Sequence, residues 1–383
     1  MITFELLFKD QSIGLIPENL CANFTYTMRL QSFYAVAKVV LKDATKVMFN
    51  KLKIGQYLDI RFYDTENPEI DYRNPMRIRY FDKIPSTQTS LIDSISLDLI
   101  SDWYYISKVK SQYYFGSAGS IINEVFATDF KDLNYTFDIN PSTEPPKSRY
   151  QTHERPQAFI KRILPWGLVE GYPLCLYTDH KGTIHLKPWV DFIKNNQFYL
   201  ATVMGSETYL NSTAADYALG HIQFLTYDVS LNPTYTAKQA IHSIANYYST
   251  EAYPQSTLLF SCEGTGLSDT DKRNIQVDTL SPLKAEVTPW WECPYDARAE
   301  FIYNNWQVLN QTFKVSATVE MFQLESLQLG NLIRLELPFN PVQNPTTGEE
   351  LNFAEGGYII DAVSYIYTGA TRNTSVEMFQ IRF

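Results

Sequence analysis

His180 and His185 stand either side of a turn in "HKGTIH". A His-x4-His pair can supply two imidazoles to zinc, which takes four protein ligands in a structural site. No cluster of cysteines or carboxylates stands at ligand spacing to complete the set. Successive hairpin residues also face opposite ways, so both histidines are expected on the hairpin surface. "GTGLSDTDKRN" gathers Gly264, Gly266, Asp269 and Asp271. It lacks the Gly-Lys-Ser/Thr ending of a phosphate loop and the periodic ligands and closing Glu of a calcium loop, so it reads as a polar loop. Cys21, Cys175, Cys262 and Cys293 are far apart and form no CxxC pair. They read as free thiols in a reducing compartment, and none stands in a recognisable nucleophile setting.

Other catalytic signatures fail in the same way. There is no Gly-x-Ser-x-Gly elbow and no His-Glu-x-x-His. Among 42 acidic residues nothing singles out a pair suited to sugar hydrolysis. Trp290 and Trp291, in "TPWWECP", fit three roles: an interface anchor, a carbohydrate-stacking platform, or packing at the start of the next helix. No catalytic, cofactor-binding or metal-binding residue is assigned. The chain is expected not to be an enzyme and to need no cofactor.

The elements that would position these residues are mostly strands. The chain has 383 residues, enough for two to four domains, and is 45% hydrophobic and 19% charged, which allows real cores. Aromatics reach 15%, with 27 Tyr and 23 Phe, and favour strands. A net charge of -10 makes the chain a poor grip for a phosphate backbone. No apolar run approaches a membrane span, and "MITFELLFKDQS" has neither the basic start nor the long apolar stretch of a signal peptide.

"NFTYTMRL", "SFYAVAKVVLKD", "IGQYLDIRFYD", "MRIRYFDKI" and "SLIDSISLDLI" predict an all-β unit of five or six strands. In the third of these, Ile54, Leu58, Ile60 and Phe62 are set against Gln56, Asp59 and Arg61. From about residue 102 the pattern changes. "SAGSIINEVFATDF" carries a helical stripe of Ile121, Ile122, Val125 and Phe126. "ERPQAFIKRILPWG" carries another, with Pro156 in its first turn and Pro165 at its end. "YPLCLYTDHKGTIHLKPW" reads as a hairpin. "GHIQFLTYDVSLN" reads as a strand returning to the first unit. Thr236 is placed to cap a helix in "TAKQAIHSIANYYS", and "YDARAEFIYNNWQVLNQ" predicts a further helix before the strand "TFKVSATVEMF".

Two stretches echo each other. Ile54 to Phe62 and Leu329 to Leu337 share one binary pattern with Gly55 and Gly330 in second place. A glycine at a strand entry signals a bend that an L-residue would strain. Each stretch is followed by a proline-bearing loop and a last pair of strands, so a duplicated β unit is expected. The second unit is expected to use its final strand at Phe383.

This layout resembles the central hub protein of phage tail baseplates, whose relatives include the hub part of tail-like secretion spikes. The resemblance rests on several stretches. They are "IGQYLDIRF", "DWYYISKVKSQYYFGSAGSIINEVFA" with Phe115, Gly116 and Ile122, the helix-plus-hairpin stretch from Glu154 to Trp189, "AEFIYNNWQVLNQTFKVSATVEMFQLESLQLGNLIRLEL", and "GYIIDAVSYIY" with its closing strand.

The resemblance implies a mainly β fold with α+β insertions and two pseudo-equivalent β-barrel-like domains. The expected division is a first barrel over 1–101, an inserted α+β domain over 102–204, a returning strand of the first barrel over 205–234, a helix-containing connection over 235–292 and a second barrel over 293–383. It further implies a homotrimeric ring in the virion tail baseplate, assembled in the host cytoplasm. The ring would join a six-fold tail tube or tube-adaptor protein to a three-fold central spike protein and touch other baseplate proteins. DNA would pass through it without specific binding, and no stable membrane insertion is implied. The competing expectations are a tail-associated cell-wall-degrading enzyme and a β-rich glycan-binding module.

Overall fold

Alternation of apolar and polar residues builds the first unit, because a strand sends successive side chains to opposite faces. Leu58, Ile60 and Phe62 are fully buried and the residues between them are not. Each such side chain contributes ~1.5–3 kcal/mol by leaving water. The computed structural model describes residues 2–10, 13–30, 32–43, 48–84, 93–105, 108–137, 146–169, 172–194, 198–203, 222–224, 226–231, 299, 303, 313–336, 342–343, 350–351, 356–369 and 371–380.

Seven strands come first: β1 (Ile2–Phe8), β2 (Leu15–Pro17), β3 (Cys21–Arg29), β4 (Val36–Asp43), β5 (Tyr57–Asp64), β6 (Asp71–Ile84) and β7 (Asp93–Ser101). An insert follows. It holds β8 (Lys110–Gly116), α1 (Ala118–Asp129), β9 (Tyr135–Phe137), β10 (Lys147–Glu154), α2 (Pro156–Ile163), β11 (Leu168–Val169), β12 (Tyr172–Thr178), β13 (Ile184–Pro188) and α3 (Trp189–Lys194). The remaining strands are β14 (Phe198–Val203), β15 (Ile222–Phe224), β16 (Thr226–Leu231), β17 (Phe313–Glu320), β18 (Leu332–Glu336), β19 (Val342–Gln343), β20 (Glu350–Leu351), β21 (Gly356–Tyr367) and β22 (Arg372–Gln380).

The first unit pairs in the order β1-β5-β6-β7-β4-β3. β2, which precedes β3 in the chain, pairs with the other edge of β1. The second unit pairs in the matching order β14-β18-β21-β22-β17-β16. β15, which precedes β16 in the chain, pairs with the other edge of β14. The duplication expected from the sequence is therefore present as two barrel-like units. One step departs from it: β1 runs antiparallel to its neighbours, and β14 runs parallel to β18 and β15.

The glycine echo holds in detail. Gly55 and Gly330 both have φ of 80°. The Gly55 N–H donates to the Ile78 carbonyl at 2.7 Å, and the Ile78 N–H donates to the Gln56 carbonyl at 3.0 Å. The Gly330 N–H donates to the Ile360 carbonyl at 2.9 Å, and the Ile360 N–H donates to the Asn331 carbonyl at 3.0 Å. An irregularity follows both, between Ile78 and Tyr80 in β6 and between Ile360 and Ala362 in β21.

Three expectations need correction. Ile54 is not part of the apolar face but is 64% exposed, because the turn at Gly55 lies between it and the start of β5. The strand 226–231 does not return to the first barrel; it pairs with β17 of the second. β14, expected within the insert, also pairs into the second unit, on β18. Alternation says which face of a strand is buried and is silent about which edge it joins.

The insert has its own core, with Tyr114, Ile122, Phe126, Phe159 and Ile160 at its centre. Ser117 caps α1 by accepting the Ser120 N–H at 3.2 Å, and Pro156 opens α2. Ala299 and Tyr303 are helical, as expected there. The helix after Thr236, the loop with Gly264, Gly266, Asp269 and Asp271, Trp290, Trp291, Cys262 and Cys293 lie outside the described residues.

Candidate assembly interface

The two barrels are joined by a strand pair. β21 pairs with β18 up to Ile359, and beyond the irregularity Ala362 to Tyr367 pair antiparallel with Phe24 to Arg29 of β3. Polar groups hold the register. The Thr27 and Ser364 hydroxyls are 2.8 Å apart. Arg29 donates to Glu377 at 2.7 Å and to Asp361 at 3.5 Å, while the Leu30 N–H donates to the Asp361 carbonyl at 2.8 Å. Asp361 is 3% exposed, and a buried carboxylate of this kind requires a cation or strong donors.

Aromatic rings fill the space behind the pair. Phe4 stacks on Phe24 at 3.9 Å, and Phe62 of the first unit meets Phe322 and Tyr365 of the second at 5.9 and 5.4 Å. Edge-on pairs of this kind contribute ~0.5–1.5 kcal/mol each beyond area burial. Burial pushes the hydroxyls of Tyr26 and Tyr365 well above the usual phenol range, so both stay neutral. The sequence reading missed Arg29, Asp361 and Glu377. No signal in the sequence marks them; in the structure the shared irregularity puts Arg79 in the place of Asp361 and Asp98 in the place of Glu377.

The histidine hairpin docks where both barrels meet the insert. The Asn74 amide donates to the His180 carbonyl at 3.0 Å and accepts from the Tyr26 hydroxyl at 3.0 Å. The Cys175 thiol donates to the Leu30 carbonyl at 2.8 Å. Contrary to the expectation of a surface histidine, His180 is 4% exposed. It stands edge-on to Tyr72 at 5.3 Å, and its Nε2 is 3.9 Å from Glu325. His185 Nε2 is 2.8 Å from Asp179.

Burial holds the His180 imidazole below its usual pKa, against the pull of Asp179 and Glu325. Burial alone would raise Asp179, but its hydrogen bond and charge contact with His185 and the Thr183 N–H leave it below the usual carboxylate range. A cleft of about 320 Å³ beside these groups is lined by Asp179, His180, His185, Asp191 and Tyr365 among others. Among the described residues no three His, Cys, Asp or Glu side chains are grouped to hold a metal ion. Cys21 and Cys175 are free, buried thiols; burial raises Cys21 to about 12 and Cys175 well above its usual value, so neither is poised as a nucleophile. No described helix is long and apolar enough to cross a membrane.

No protein-family model and no curated protein matches this sequence. Solved structures do match. The 43 kDa tail protein of prophage MuSo2 from Shewanella oneidensis superposes with a TM-score of 0.60 at 8% identity, covering 100% of this chain and 99% of that one. The tail protein from Neisseria meningitidis MC58 superposes with a TM-score of 0.56 at 7% identity, covering 99% of this chain and 96% of that one. At such identity the likeness is one of architecture: this chain has the fold of these tail proteins.

Proposed function

We propose that the chain is a structural component of a phage-type tail, the hub ring of the baseplate. The observation that carries this reading is the internal duplication. A three-fold ring of a two-unit chain offers six similar patches to a six-fold tube on one face, and three-fold geometry to a central spike on the other. The likeness in fold to two tail proteins supports a tail location. The net charge of -10 suits a channel through which DNA passes without being held.

Light scattering of the purified chain, alone and with its spike and tube partners, tests the ring. The expected mass is three times 44.2 kDa. A protein that stays monomeric with every partner present would overturn the reading.

A further inference from the structure

In both barrels the long strand parts from one of its two neighbours at the same place and keeps the other. β21 does so after the irregularity at Asp361, and its outer stretch is covered by β3. β6 does so after the irregularity at Arg79. Its outer stretch, Tyr80 to Ile84, pairs with β7 on one side and with no described strand on the other. Tyr80 is 56% and Ile84 43% exposed there. The duplication leaves a second strand unmatched. β3 has β4 on one edge and β21 on the other, whereas its counterpart β16 has β17 and no other described partner. Among the described strands, one chain thus carries one filled junction, one receiving edge without a partner and one donating edge without a partner. Open edges of this kind invite strand addition.

We propose that β16 of one copy adds to the Tyr80–Ile84 edge of the next, repeating between copies the junction that β3 and β21 make within one. This rests on the ring reading and specifies how the ring closes: the contact is head-to-tail and repeats at each boundary. The internal junction fixes the register. Phe81, Asp82, Lys83 and Ile84 hold the places of Val363, Ser364, Tyr365 and Ile366, as set by the shared irregularity. Asp228, Val229, Ser230 and Leu231 hold the places of Thr25, Tyr26, Thr27 and Met28, as set by their pairing to β17 and β4. Phe81 therefore stands opposite Leu231 of the next copy, Asp82 opposite Ser230, Lys83 opposite Val229 and Ile84 opposite Asp228. The charges agree. Where Asp361 and Glu377 need Arg29 from the incoming strand, Arg79 and Asp98 pair with each other at 2.6 Å, so this edge asks for no incoming cation.

Cysteine pairs test the register. T27C/S364C replaces two hydroxyls already 2.8 Å apart and should close a disulfide within one chain, which calibrates the method. D82C/S230C occupies the equivalent positions across the boundary. After oxidation, most of the oligomeric protein should run as covalent dimer and trimer on a non-reducing gel. Neither single variant should do so, nor should D82C/T226C, which is four residues out of register and ~13 Å too far. I84C/D228C gives a second in-register pair should the first variant fold poorly. If the wild type has trimer mass and T27C/S364C closes, but neither boundary pair cross-links, the strand addition is wrong and the ring reading stands. If the wild type is monomeric throughout, the ring reading falls and the strand addition with it.

Discussion

The two barrels have the same strand order and the same glycine turn, but their turns face different surroundings. A methyl group built on Gly55 meets nothing within 4 Å, and Ile54 beside it is exposed. A methyl group on Gly330 would lie 2.2 Å from the Phe192 ring of α3, and Leu329 beside it is 8% exposed. The insert covers one copy of the turn and leaves the other open. The outer edges differ in the opposite sense: that of β21 is covered by β3, and that of β6 has no partner among the described strands. A duplicated unit thus keeps its backbone solution and changes what it touches. The proposed ring would ask for this, since the two halves of each subunit would occupy similar places while only one carries the insert.

The largest expected effect comes from removing a strand from one unit of the pair. Deleting 376–383 takes Val376, Met378 and Phe379 out of the second core and strips both β17 and β21 of a partner. Three buried side chains account for ~5–9 kcal/mol, the size of a whole domain's stability. The truncated chain is expected in the insoluble fraction. A soluble truncated chain of wild-type mass in solution would mean that the second unit is not a barrel of the first kind.

The glycine turns give the next largest difference. Gly55→Ala strains only the backbone, at ~1–2 kcal/mol, because φ of 80° disfavours a Cβ. Gly330→Ala adds the collision with Phe192, a further ~1–3 kcal/mol of overpacking. Chemical denaturation should rank Gly330→Ala clearly below Gly55→Ala. Equal losses would show that α3 yields freely and that the covered turn is no tighter than the open one.

A smaller gap separates the paired charges. Arg29→Met leaves the buried Asp361 without this cation at the covered edge and is expected to cost ~1–3 kcal/mol. Arg79→Met removes a half-exposed partner of Asp98 at the open edge and should cost ~0–1 kcal/mol in the unassembled chain. The order should narrow once copies assemble, if the open edge becomes covered. A loss at Arg79 that matches Arg29 in the free chain would contradict the contrast between the edges.

Much of this was legible in the sequence. Period-two alternation placed β5 and β7, helical stripes, the second with Pro156 in its first turn, placed α1 and α2, and the glycine echo located the duplication. What stayed hidden is non-local. The partners of β14 and β16 depend on edges, and a strand's alternation carries no record of its edge. Ile54 looked like the first residue of an apolar face because the binary pattern runs through Gly55, although that glycine signalled a bend, and does not show that β5 starts only after it. His180 looked like a surface residue because the hairpin's partners, Asn74 and Tyr72 on one side and Glu325 on the other, are far away in sequence.

His180 touches both barrels, and its titration gives the smallest and most local test of how they are held. Its folded pKa lies below the usual 6.5 because burial penalises the imidazolium, although Asp179 and Glu325 favour it. The unfolded chain therefore binds a proton at a higher pH than the folded chain does. The stability contributed by the neutral, buried ring is complete above pH 6.5. It is lost as pH falls from there towards the folded value, by at most ~1.4 kcal/mol per pH unit. Asp179, also held low, titrates well below this window and does not cancel the effect. Lowering pH from 7.5 to 5.5 should reduce the melting temperature by ~1–3 °C more in the wild type than in His180→Gln, which has no proton to gain. The sign is the discriminating part. If the wild type instead gains stability on acidification relative to His180→Gln, then Glu325 and Asp179 outweigh burial, and the hairpin is bound to the second barrel by a salt bridge.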